Sequence, residues 1–95
     1  MNNDVLIVTR HVGAVEYLRQ AGVTGEVVSH ATVENVSGRH VYGNIPFWLA
    51  VHAASVTAIE MPYLRSNQRG RNLSPDEMRE AGARLATYVV MRGDE

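Results

Sequence analysis

Val5-Leu6-Ile7-Val8 runs straight into Thr9-Arg10-His11, then into Gly13 and a helical stretch. That junction constrains the fold more than any other feature. Four continuous apolar residues, rather than an alternating set, describe a strand covered on both faces, as in a parallel sheet with helices above and below. The strand closes on cationic and hydrogen-bonding side chains. A second apolar run, Thr57-Ala58-Ile59-Glu60-Met61, closes the same way, on Tyr63-Leu64-Arg65-Ser66-Asn67-Gln68-Arg69-Gly70-Arg71-Asn72. In open α/β sheets the ligand lies beyond the carboxyl ends of the strands. Arginine forks and a helix N-terminus placed there suit phosphate.

The remaining elements follow from periodicity and punctuation. Val5–Thr9 is the first strand. Val12 to Ala21 is a helix with an apolar side of Ala14, Val15, Leu18 and Ala21, stopped by Gly22. Glu26–His30 is a second strand. Thr32–Arg39 reads as a polar turn segment containing Ser37-Gly38. His40–Gly43 is a short third strand, and Asn44 is the expected cap of a helix opening near Pro46 and running to about Ser55. Thr57–Tyr63 is the fourth strand. Ser74, Pro75 and Glu77 form a capping box for a last helix with a stripe of Met78, Ala81, Leu85 and Tyr88 or Val89, ending near Arg92-Gly93. The order β-α-β-β-α-β-α predicts one α/β domain over residues 1–95: a compact Rossmann-like, mostly parallel four-stranded sheet in the order 2-1-3-4, with three helices. Its switch point lies between strands one and three, beside Arg10 and His11.

Composition narrows the ligand. The 95 residues carry a net charge of −1, which disfavours a broad nucleic-acid face and so a long nucleic acid. All nine cationic side chains are arginine, and Arg65, Arg69 and Arg71 fall together. A local positive site on a near-neutral body fits a small polyanion. Without lysine there is no phosphate-binding P-loop, and Gly13 stands alone, so there is no dinucleotide fingerprint. The receiver-domain arrangement of clustered acids and a lysine is also missing. His11, His30, His40 and His52 lack metal-ligand spacing, so no metal and no cofactor is expected. There is no cysteine, which fits a cytoplasmic location. Met1-Asn2-Asn3-Asp4 has no signal-peptide character, and no apolar run approaches membrane-spanning length.

These features give a candidate site. Arg10 and His11 point into one volume from the first strand end, with Thr9 and Gly13 beside them. His11 is either a polar helix opener or a proton donor and phosphate ligand. Asn44 and Pro46 flank the third strand end. Phe47, Trp48 and Tyr63 read first as core or interface; of the three, Tyr63 is the leading base-stacking candidate because it precedes the arginine segment. Arg65, Ser66, Arg69, Gly70 and Arg71 form the second cationic cluster, read either as a solvated loop or as phosphate ligands. Gly70, between two arginines, points to a tight backbone approach. His30 ends the second strand and is a lesser candidate.

Three segments carry a family resemblance in order and spacing. They are Val8-Thr9-Arg10-His11-Val12-Gly13-Ala14-Val15-Glu16, then Val41-Tyr42-Gly43-Asn44-Ile45-Pro46 with Leu49-Ala50, then Arg69-Gly70-Arg71-Asn72-Leu73-Ser74-Pro75-Asp76-Glu77-Met78. Together they resemble a small CRISPR-associated accessory family found beside type III systems. The resemblance implies a CARF-like homodimer related to domains that sense cyclic oligoadenylate. It further implies a ring nuclease that degrades cyclic tetra-adenylate without metal, with Arg10 and His11 as catalytic residues. Asn72 stands where an acid is expected, and Phe47-Trp48 where smaller or polar residues are expected. The competing class is a module that binds the messenger without cleaving it.

Overall fold

The computed structural model describes residues 4–94; residues 1–3, the bulk of the segment judged above for signal-peptide character, and residue 95 lie outside the described residues. One sheet holds β1 (Val5–Val8), β2 (Glu26–Val28), β3 (His40–Gly43), β4 (Ser55–Glu60) and β5 (Arg84–Tyr88). The helices are α1 (Val12–Gln20), α2 (Val33–Val36), α3 (Phe47–Ala50) and α4 (Pro75–Glu80). The spatial order is β2-β1-β3-β4-β5. The first four strands are parallel, and β5 runs antiparallel to β4. The α/β class and the run 2-1-3-4 therefore stand. The count of four strands and three helices is corrected to five strands and four α-helices among the described residues.

The largest correction is the last helix. Its start is as expected: Ser74 Oγ accepts the Glu77 N–H at 3.2 Å, and Glu77 Oε1 accepts the Ser74 N–H at 2.9 Å. Its end is not. Gly82 takes φ +82°, the Gly82 N–H donates to the Arg79 carbonyl, and the Ala83 N–H donates to the Met78 carbonyl, both at 3.0 Å. This paired closure uses a left-handed glycine to end a helix. Met78 is buried on the short helix and Ala81 at its C-cap, whereas Leu85 and Tyr88 belong to β5. The segment read as a polar turn contains α2, one helical turn capped by Thr32, whose Oγ1 accepts the Asn35 N–H at 3.2 Å. α3 stops at Ala50 rather than near Ser55, so β4 begins and ends earlier than expected. Asn44 does not cap α3; Pro46 holds the N-cap position and no side chain bonds there.

Period-two alternation sorts the sheet into two faces. Leu6, Val41 and Val56 are in register across β1, β3 and β4. They pack with Val36, Leu49 and Ala50 from α2 and α3. The intervening row, Ile7, Tyr42 and Thr57, faces the other side, where α1 and α4 pack together. Leu18 and Met78 are buried there. Burial on both faces accounts for the continuous apolar run of β1.

Candidate functional site

A cleft of about 600 Å³ opens at the carboxyl ends of β1, β2, β3 and β4, over the β1/β3 switch point. Its floor depends on Gly43. That residue has φ +140°, and a Cβ there would lie 2.2 Å from the Val8 carbonyl oxygen. Only glycine lets the end of β3 lie this close to the end of β1.

Five of the expected site residues line the cleft: Thr9, Arg10, His11, Asn44 and Pro46. Thr9 turns the chain out of the sheet. Its N–H donates to the Val28 carbonyl at 3.0 Å, and its Oγ1 accepts the His11 N–H at 3.1 Å. Arg10 and His11 are exposed at the lip, and His11 is the N-cap residue of α1 in an extended conformation. Gly13 is buried outside the cleft. A Cβ at Gly13 would fall 1.7 Å from the Leu73 carbonyl oxygen, so the first turn of α1 is pressed against the chain entering α4. The Gly13 N–H also donates to Asn72 Oδ1 at 3.4 Å. Asn72, at a position where an acid was expected, thus reaches the N-terminus of α1 from the end of the arginine segment.

The lining also includes His30, the lesser candidate, and adds residues not expected there. Ser29, His30 and Ala31 arrive on the end of β2, and Trp48 on α3. Tyr42, Ile59 and Met61 complete it from β3, β4 and the chain leaving β4. The charge pattern is one-sided. Arg10, His11 and His30 share the cleft with the hydroxyls of Thr9, Ser29 and Tyr42 and the amide of Asn44, and among the described residues no Asp or Glu lines it. Such a surface has donors for an anion and no carboxylate to repel one.

The second cationic cluster is placed elsewhere. Arg65, Ser66, Arg69, Gly70 and Arg71 are all exposed and outside the cleft lining, around a 3-10 turn at Ser66–Gln68. Arg71 lies 4.0 Å from Glu77. Gly70 makes no close approach: its φ is +78° and a Cβ would meet nothing within 4 Å. The turn needs its backbone conformation, not its lack of volume. Tyr63 also lies outside the cleft, with its ring against Gly82 and its N–H bonded to the Ala81 carbonyl at 2.9 Å. The carboxyls of Glu16 and Glu60, whose pKa values are depressed, do not line the cleft either. Glu16 is held below the usual range by its hydrogen bond from Arg19, and Glu60 by its hydrogen bond from Tyr88. Among the described residues, no group of three His, Asp or Glu side chains is placed to hold a metal ion. No helix among them is long and apolar enough to cross a membrane.

Residues 6–91 match the model of a family described as "Putative CRISPR-associated protein (Cas_VVA1548)". No curated protein and no solved structure matches the chain. The match spans all five strands and all four helices but for the first residue of β1, and it includes every residue lining the cleft. The chain belongs to the CRISPR-associated Cas_VVA1548 family.

Proposed function

We propose that this protein is a metal-independent ring nuclease acting on cyclic tetra-adenylate as a homodimer, and so a terminator of type III CRISPR signalling. The observation that carries the reading is the carboxylate-free cleft at the switch point, with Arg10 and His11 at its lip. A volume of about 600 Å³ is that of an ordinary small-ligand pocket, and a cyclic tetranucleotide exceeds it. The ligand's two-fold symmetry lets two clefts share it across a dimer axis, each taking half of the ring. Membership of a CRISPR-associated family supplies the biological setting.

Cleavage needs no external nucleophile. The ring's 2′-oxygen attacks the adjacent phosphorus; the new P–O2′ bond forms as the P–O5′ bond breaks. The 2′-hydroxyl proton passes to water, and protonated His11 delivers a proton to the departing 5′-oxygen. Arg10 meets the charge that builds on the phosphorane oxygens. Two such cuts give linear di-adenylates with a 5′-hydroxyl and a 2′,3′-cyclic phosphate.

A second reading, binding without cleavage, is favoured by one feature: among the described residues no carboxylate lines the cleft to orient the His11 imidazole. One experiment separates the two. The purified protein is incubated with cyclic tri-, tetra- and hexa-adenylate in the presence of a chelator, and the products are resolved. The expected outcome is conversion of the tetramer to cyclic-phosphate-ended dimers. Stoichiometric retention of intact ring would establish sequestration, and activity that requires a divalent ion would overturn the metal-free mechanism.

A further inference from the structure

We propose that Trp48 is the base-reading residue of the cleft: its indole stacks on a purine whose phosphate lies against Arg10 and His11. The inference rests on the reading that this cleft takes a nucleotide. It does not rest on cleavage.

Three observations carry it. The first is forced exposure. α3 is a single turn anchored by Leu49 and Ala50, each 2% exposed, and by hydrogen bonds from both N–H groups to the Pro46 carbonyl. With that side of the turn committed to the core, the preceding positions face outward, and Trp48 is 67% exposed. The second is location. Trp48 lines the cleft and also a neighbouring groove, beside Val51 and Val90, so the indole stands between the two. The third is division of labour within the lining. The cations come from the chain leaving β1 and β2, with the hydroxyls of Thr9 and Ser29 beside them, whereas Ile45, Trp48 and Met61 supply apolar surface. A nucleotide has the same two parts, and a flat aromatic ring beside apolar side chains suits a base of any sequence position. Tyr63, the aromatic expected from the sequence to stack, lies outside the cleft against Gly82.

Trp48 is the sole tryptophan of the chain, so its emission reports on this one position. The protein is excited at the red edge of the indole band, where adenine is transparent, and titrated with cyclic tetra-adenylate, AMP and ribose 5-phosphate. Quenching by the two adenine ligands but not by ribose 5-phosphate is expected. Calorimetry on Trp48→Ala should show about tenfold or greater loss of affinity for AMP, the scale of one stacked base, with ribose 5-phosphate binding unchanged; Trp48→Phe should restore most of the loss. Calorimetric binding of cyclic tetra-adenylate with no change in emission, or equal affinity in Trp48→Ala, overturns the role of Trp48 while leaving the nucleotide reading intact. Quenching without any cleavage overturns the nuclease and keeps the stacking residue. Emission that is blue-shifted in the free protein and moves to the red on dilution places Trp48 between two copies of the chain and overturns the proposal. No binding of any adenine ligand overturns both.

Discussion

Two parts of the molecule carry clustered cations, and they are built in opposite ways. At the β1 end, a single arginine and two histidines converge because three parallel strands finish at the same edge. In the segment from Arg65 to Arg71, three arginines lie close in sequence, yet all are exposed around a short 3-10 turn outside the cleft lining. Density along the chain is greater in the second region, and density in space around a cavity is greater in the first. Cations on a solvated turn are screened and lose side-chain entropy when they bind, whereas donors around a shaped cleft act together on one ligand. The two regions touch where Asn72 accepts the Gly13 N–H and Leu73 packs against Gly13.

The comparison breaks most sharply at His11. If the cleft performs the chemistry, His11→Ala should reduce single-turnover cleavage by roughly 10²–10⁴-fold with little loss of binding, since a proton donor acts mainly in the transition state. Arg69→Ala should leave the single-turnover rate nearly unchanged. Quenched-flow measurement with saturating protein reads both. The reverse pattern would move the catalytic centre to the arginine segment.

The next effect concerns how the cleft is held open. Gly43→Ala places a methyl group against the Val8 carbonyl and imposes a positive φ that alanine tolerates poorly. We expect a destabilisation of roughly 1–3 kcal/mol, the range for overpacking a filled site. Gly70→Ala also meets a positive φ, but in open space, so its cost is only the backbone one. Urea midpoints of the two variants test whether the switch point is the more constrained region; equal losses would show that it is not.

Affinity then separates the regions by a smaller factor. Arg10→Ala should weaken ligand binding by about 10- to 100-fold, the loss of one charge-assisted contact in a shaped site. Arg69→Ala should stay within about fivefold, in line with exposed ion pairs. The slope of affinity against salt should fall in both variants. A larger loss at Arg69 would mean that the turn closes over bound ligand.

The β1 end was legible because its signals are local: a continuous apolar run, a polar closure and a helix opening. The Ser74 capping box was legible for the same reason. β5 was not. Met78, Ala81, Leu85 and Tyr88 keep a helical period across Gly82, and only the left-handed closure at that glycine ends the helix. Strand pairing with β4 then claims Leu85 opposite Ile59 and Tyr88 opposite Val56. The cleft was half legible. Thr9, Arg10 and His11 belong to one strand end, but His30 and Trp48 reach it only through the parallel order of β2, β1 and β3. The Asn72–Gly13 contact spans 59 positions and leaves no local trace.

The smallest expected effect tests how the arginine segment is rooted. Glu60, the last residue of β4, accepts hydrogen bonds from Tyr88 and from Arg84 on β5, the latter at 3.3 Å. The bond from Tyr88 holds the Glu60 carboxyl below its usual range, and Arg84 adds to this. A depressed carboxyl stabilises the fold above its unfolded pKa, and that contribution fades as pH falls through the folded value. The Tyr88 phenol is raised by the same bond, so its contribution is present below the usual phenol range and fades as pH rises beyond it. The tie between β4 and β5 is therefore strongest at intermediate pH and loosens first in acid, as pH falls below the usual carboxylate range. Acidification should increase amide exchange from Met61 towards Asn72 before it affects Val8 to Gly13, whose bonds involve no carboxylate. Glu60→Gln should remove the pH dependence of exchange in the first segment alone. Parallel acid loosening of both segments would show that the two regions share one support, and the contrast between cleft and turn would then lie in charge placement rather than in how each is anchored.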